Sequence, residues 1–66
     1  MRIQPHLSYR LLGTALVLQS GKTYEAEHAT NQPDWEEKGK IFVKPNPALE
    51  ATMLLEHGDY TIVFEP

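Results

Sequence analysis

The side chains in this sequence that could take part in acid–base or metal chemistry are three histidines and nine carboxylates. His28 follows Glu25 and Glu27, but on an extended strand His28 and Glu27 point to opposite faces. His6 and His57 are distant in sequence, and no two histidines have the spacing that places two ligands on one side of a helix. We therefore predict no metal site, no cofactor and no enzymatic activity. The residues to test for catalysis are His28 with Glu25 or Glu27.

The stretch SGKT at residues 20–23 contains the Gly-Lys-Thr that ends a phosphate-binding loop motif. That motif also needs a glycine five residues before Gly21, where this chain has Leu16, and a helix after the lysine. The residues that follow alternate in polarity, which indicates a strand. We interpret Ser20-Gly21 as a tight turn, because glycine tolerates the positive φ that short turns require.

The lone tryptophan of the chain, Trp35, lies within an acidic stretch. One interpretation places its indole over one end of the core. The other keeps it partly exposed as an anchor for a protein partner, since tryptophan is enriched at interface hot spots. On the second interpretation the partner-binding residues are Trp35, Asp34, Glu36 and Glu37.

Charge is unevenly distributed along the chain. The net charge is −3 overall, +3 over residues 1–24 and −6 over residues 25–66. Binding to phosphate backbones requires a basic face, and only the first third offers one, so the composition argues against nucleic acid. The alternative hypothesis is a nucleic-acid accessory protein that uses a stacking and charge face. That face would consist of Tyr9, Arg10, Lys22 and Tyr24, with the two tyrosines on adjacent strands.

The pattern of residues 11–29 predicts a β-hairpin, with the chain folding back at Ser20-Gly21. The incoming strand would run from Tyr9 to Gln19, with a bulge at Gly13. A helix from Ser8 to Ser20 is the competing interpretation, which Gly13 and the β-branched residues around it disfavour. Residues 1–8 are predicted to be a lead-in, because Pro5 interrupts regular pairing.

Beyond the hairpin, residues 34–39 predict one helical turn capped by Asp34, with a capping-box glutamate at Glu37 and a stop at Gly39. Residues 40–44, KIFVK, predict a short strand with Ile41 and Val43 on the face opposite Phe42.

Residues 48–57 fit two structures. As a strand they would pair with residues 60–65 through a turn at His57-Gly58-Asp59, which is the interpretation we favour. As a helix they would begin at the Asn46-Pro47 pair and end before Gly58. On the final strand Tyr60, Ile62 and Phe64 would share one face.

The whole chain, residues 1–66, is predicted to be a single small all-β domain. It would form a five-stranded, strongly bent antiparallel sheet or an SH3-like or OB-like barrel. The alternative is an α+β fold with a helix at about residues 47–57. The apolar run at residues 11–18 is shorter than the roughly 20 residues of a membrane span. The absence of cysteine fits a reducing, cytoplasmic setting.

These observations favour a non-enzymatic binding module that contacts another protein or a second copy through an edge strand. The two segments proposed as edges are residues 40–44 and 60–65.

Overall fold

The computed structural model describes residues 1–10, 17–48 and 50–65. Over these ranges the chain forms seven strands and one short helix. They are β1 (Arg2–Pro5), β2 (Tyr9–Arg10), β3 (Val17–Leu18), β4 (Tyr24–His28), α1 (Trp35–Lys38), β5 (Ile41–Val43), β6 (Met53–Leu55) and β7 (Tyr60–Phe64).

Five of these strands form one antiparallel sheet in the order β6-β5-β4-β1-β7, and β2 and β3 form a separate pair. The predicted all-β fold with a five-stranded antiparallel sheet is confirmed. The sheet does not close into a barrel, because among the described residues β6 and β7 pair only with β5 and β1, respectively.

A short connection shows that this sheet is strongly bent, as predicted. β6 ends at Leu55 and β7 begins at Tyr60, yet the two strands lie at opposite ends of the sheet. Five Cα steps reach at most about 18 Å, whereas five strands laid flat would separate the outer two by roughly 19 Å. The connection is also folded, because the Asp59 N–H donates to Glu56 O at 3.0 Å. The sheet must therefore curl to bring its two ends together.

The core lies on the inner face of this curved sheet. Ile41 and Val43 are fully buried and Phe42 between them is half-buried, as the alternation in the sequence predicted. Leu18 of β3 is also fully buried and belongs to the same cluster, so the two-stranded pair contributes to the core. The buried apolar residues among those described are Ile3, Pro5, Leu18, Ala26, Ala29, Ile41, Val43, Leu55 and Tyr60.

The prediction of a lead-in at residues 1–8 is wrong, because β1 lies between β4 and β7. Met1 and Ala26 exchange two hydrogen bonds, of 3.0 and 2.9 Å, and the His6 N–H donates to Asp59 O at 2.9 Å. The backbone N–H and C=O groups of successive residues face alternate neighbouring strands. The N–H that Pro5 lacks would therefore have faced β4. β4 begins only at Tyr24, the partner of Ile3, so the missing donor interrupts no pairing there.

The predicted hairpin of residues 11–29 is wrong in its pairing. A turn is present at Ser20-Gly21, where Gly21 has φ 85°. However, β3 before it pairs with β2, whereas β4 after it pairs with β1 and β5. The antiparallel β2–β3 pair also excludes one continuous strand or helix over residues 9–19. The proposed bulge at Gly13 lies outside the described residues.

The second predicted hairpin is also wrong in its pairing. Residues 53–55 form a strand, so the helical alternative fails over the described part of residues 48–57. The turn at His57-Gly58 is present, but β6 pairs with β5 and β7 pairs with β1. Both errors have one cause: the two strands that each tight turn joins pair with other strands and not with each other.

The helical turn at residues 34–39 is confirmed as α1, but its predicted capping box is not formed. Asp34 has φ 56° and makes no side-chain capping hydrogen bond. Gly39 ends the helix in the left-handed conformation, φ 64°, and the His57 imidazole lies where a Cβ at this position would stand. This helix end therefore favours glycine on conformational grounds, and a Cβ here would also displace the exposed His57 ring.

A matched pair of glycine substitutions tests this requirement. Gly21→Ala adds a Cβ in open space at positive φ and should cost about 1 kcal/mol of unfolding free energy. Gly39→Ala should cost up to about 1 kcal/mol more, because its Cβ must displace the exposed His57 ring from its stack on Tyr60. The measurement is urea unfolding followed by circular dichroism. The extra cost should largely disappear when Gly39→Ala is made in a His57→Ala background, and equal losses in both backgrounds would contradict the proposed steric conflict.

Candidate interaction surface

The last strand, β7, ends the sheet on one side and carries exposed apolar side chains. Exposure rises along it from Tyr60 at 9% to Ile62 at 42%, Val63 at 51% and Phe64 at 60%. Its inner edge pairs with β1, and no described residue pairs with its outer edge. We call the segment Ile62–Phe64 the β7 edge.

The direction of the backbone groups on β7 follows from its pairing with β1. The His6 N–H donates to Asp59 O, so even-numbered residues of β1 direct their polar groups toward β7. Gln4 lies opposite Thr61 in this register, so Thr61 faces β1. Because neighbouring residues face opposite edges, Ile62 directs its N–H and C=O away from β1. Within the part of the chain that the structure describes, no strand pairs with these groups.

A bulge changes the faces at the end of β7. Ile62 lies opposite Ile3, but Phe64 lies opposite Arg2, which leaves Val63 as an extra residue. Phe64 therefore does not share a face with Tyr60 and Ile62, and this part of the predicted alternation is wrong. The bulge places apolar side chains on both faces of the same strand end.

The other proposed edge, residues 40–44, is not an edge. β5 lies between β4 and β6, and the Lys44 N–H donates to Glu25 O at 3.0 Å. The sheet ends instead at β6, where Leu54 is 44% exposed.

The turn before β7 is held by hydrogen bonds from several elements. Asp59 Oδ2 accepts the Glu56 N–H at 3.1 Å. Burial raises the pKa of Tyr9, and the adjacent Asp59 carboxylate, which is hydrogen-bonded to it, raises it further. The His6 ring contacts Gly58 O at 2.8 Å and Thr61 Oγ1 at 2.6 Å. These bonds fix the start of β7 against β1 and β2.

Tyr60 connects the same turn to the end of α1. Its hydroxyl donates to Gly39 O at 2.6 Å, its ring stacks on His57 at 6.3 Å, and the His57 N–H donates to Lys38 O at 2.9 Å. Burial raises the pKa of Tyr60 above 10.0, and the negative charges of Glu65 and Asp59 raise it further.

The raised pKa of Tyr60 makes stability fall at high pH. The folded protein holds the phenol proton more tightly than the unfolded chain, so this contribution is complete below pH 10 and is lost as pH rises through the folded pKa. Tyr60→Phe should cost about 1 kcal/mol of unfolding free energy near neutral pH through loss of the hydrogen bond. It should also flatten the decline in stability above pH 10. Urea unfolding across pH 7–11 measures both effects, and an unchanged alkaline decline in the variant would contradict this role.

Trp35 lies half-buried on α1, with its ring centroid 5.3 Å from that of His28 on β4. His28 Nε2 lies 3.0 Å from Glu65 Oε1, beyond the end of β7. His28 therefore connects Trp35 to the C-terminal end of the β7 edge.

The structure places the predicted acidic neighbours of Trp35 in solvent. Asp34, Glu36 and Glu37 are all exposed. Trp35 itself is neither a fully buried core residue nor fully exposed, and its role in binding stays a prediction.

Substitution of Trp35 separates its two interpretations. Trp35→Ala should lower the unfolding free energy by about 1–2 kcal/mol, because a half-buried indole loses only part of the stabilisation of a core aromatic. Trp35→Phe should retain much of the contact with His28. Denaturation followed by circular dichroism gives the result, and a loss above about 3 kcal/mol would identify the indole as a core plug.

The structure does not bring the alternative nucleic-acid face together as predicted. Tyr9 and Arg10 lie on β2, which pairs with β3, whereas Tyr24 on β4 pairs with β1, so the two tyrosines are not on adjacent strands. Both tyrosines are half-buried, and the Tyr24 hydroxyl accepts the Gln19 N–H at 2.8 Å. Lys22 is exposed just after the turn at Ser20-Gly21.

Sequence reasoning missed a shallow groove of about 230 Å³ on the outer face of the sheet. Glu25 and Lys44 line it beside the half-buried Phe42. Arg2 forms an exposed ion pair with Glu25 at 3.5 Å. The opposite charges of Glu25 and Lys44 along the groove offset one another, so they favour no single class of ligand.

The three histidines lie in separate environments. Across residues 1–10, 17–48 and 50–65, no group of three or more potential metal ligands lies together. In the same ranges no helix is long and apolar enough to cross a bilayer.

Comparison of the chain with protein-family models, with curated proteins and with solved structures finds no match. The function must therefore be argued from the residues of this chain.

Proposed function

We propose that this protein is a non-enzymatic binding module that takes up an extended protein segment along the β7 edge. The observation that carries this proposal is the outward-facing N–H and C=O of Ile62 beside three exposed apolar side chains. An added strand gains main-chain hydrogen bonds from such an edge, and neighbouring side chains supply the specificity.

The charge pattern of β7 supports the same proposal. Edge strands are commonly protected against pairing by charged residues, lysine above all, but Tyr60–Phe64 contains none. The two lysines near β5 flank an interior strand and so do not protect an edge. The segment that fits the β7 edge is uncharged and rich in β-branched and aromatic residues.

Trp35 and its acidic neighbours extend the proposed binding region. His28 contacts both Trp35 and Glu65, so this surface continues from the end of β7. Basic residues flanking the bound segment would form ion pairs with the exposed carboxylates of Asp34, Glu36 and Glu37. A cytoplasmic setting is also proposed, on the support of the cysteine-free sequence.

Selection from a random peptide library tests the proposal. We expect the immobilised full chain to enrich uncharged, proline-free segments with β-branched or aromatic residues. A selected peptide should shift the amide resonances of residues 60–64 in ¹⁵N-labelled protein.

Two variants locate the binding site. Val63→Lys should weaken binding of the selected peptide by about tenfold or more, because it places a charge in an apolar contact. Leu54→Lys, the matched change on β6, which is the other end strand of the sheet, should not. No enrichment, or binding that tolerates Val63→Lys, would overturn the proposed function.

A further inference from the structure

We infer that the Thr61 hydroxyl is a nucleophile activated by His6, and that it accepts one acyl group from an activated, uncharged ester. His6 Nδ1 lies 2.8 Å from Gly58 O, and His6 Nε2 lies 2.6 Å from Thr61 Oγ1. The reaction needs no partner strand on the β7 edge and modifies the chain once, so it goes beyond the proposed function.

The antiparallel pairing of β1 with β7 places these two side chains together. Pro5 lies opposite Tyr60, and both are buried on the inner face of the sheet. His6 directly follows β1 and donates its N–H to Asp59 O at 2.9 Å. Because side chains alternate between the two faces, His6 and Thr61 both project from the outer face, where they are diagonal neighbours across the strand pair. Both are exposed, so an ester can reach them from solvent.

The partners of the two ring nitrogens assign the tautomer of neutral His6. Gly58 O is a carbonyl oxygen and can only accept, so Nδ1 carries the ring proton. Nε2 is then the acceptor, and the Thr61 hydroxyl donates its hydrogen to it. The carbonyl therefore holds the imidazole in the tautomer that can take a proton from the hydroxyl. The same order of nucleophile, base and orienting group activates hydroxyl nucleophiles in unrelated folds.

The step is a balanced acyl transfer. Thr61 Oγ1 attacks the ester carbonyl carbon and forms a new C–O bond, while the hydroxyl proton passes to His6 Nε2. The tetrahedral intermediate then expels the alcohol or phenol of the donor, which takes the proton from Nε2. The products are an ester on Thr61 and the free alcohol or phenol, and His6 returns to its neutral form.

The charges beside the pair favour an uncharged donor. Asp59 lies two residues before Thr61, and its carboxylate accepts the Glu56 N–H, so the same turn carries two acids. A phosphoryl donor would bring more negative charge to these carboxylates and be repelled. An ester has no net charge and is not repelled. The chemistry assigned to Thr61 is therefore acyl transfer.

Incubation of the full chain with p-nitrophenyl acetate tests this assignment. Release of p-nitrophenolate should be accompanied by one acetyl group on Thr61, located by tandem mass spectrometry of its peptides. Thr61→Val should abolish this acetylation, and Thr61→Ser, which keeps the hydroxyl, should retain it. Thr52→Val, which removes another exposed threonine, should leave it unchanged. Acetyl groups on lysines, the N-terminal amine or His6 itself, with none on Thr61, would overturn the inference.

A second variant and the pH profile test His6 as the base. His6→Ala should slow acetylation of Thr61 by about tenfold or more, with circular dichroism as the check that the variant is folded. The wild-type rate should rise from about pH 5 and level off by about pH 8, because only the neutral imidazole accepts the hydroxyl proton. This profile decides the matter if His6→Ala does not fold. A rate that follows hydroxide concentration without levelling off, or one that a folded His6→Ala leaves unchanged, contradicts activation by His6.

Discussion

The four-residue connection between β6 and β7 is the constraint on which the rest of the structure depends. It joins two strands that lie at opposite ends of a five-stranded sheet, and this is possible only because the sheet curls. The connection is tied to the end of α1 by the Tyr60 hydroxyl on Gly39 O and the His57 N–H on Lys38 O. The turn thus brings the two end strands of the sheet close together, and no described residue pairs with the outer edge of β7.

Local patterns in the sequence predicted local structure well. The strand at Ile41–Val43, the turn at Ser20-Gly21 and the helical turn closed by Gly39 all follow from alternation or from glycine at positive φ. These features depend on a few neighbouring residues and on backbone sterics, which the sequence shows directly.

Strand pairing was not predictable in the same way. Pro5 indicated a break, yet β1 is an interior strand. Pro5 is tolerated there because the side of β1 on which its N–H is missing extends past the first residue of β4. β6 pairs backward with β5, and β7 pairs with β1 from the start of the chain. No local signal in the sequence distinguishes these pairings from a β6–β7 hairpin. For the same reason, only part of the candidate site could be predicted from the sequence. Trp35 was identifiable as a lone aromatic among acids, whereas the exposure of Ile62 and Val63 depends on which strands flank β7.

The bulge at Val63 bears on what kind of assembly the β7 edge supports. Bulges commonly protect edges, because they twist a strand and interrupt continuous pairing. Here the bulge also moves Phe64 opposite Arg2, and both faces of the strand end become apolar. A short, two-sided apolar end is suited to one partner strand of limited length and is poorly suited to the long flat pairing that builds fibres.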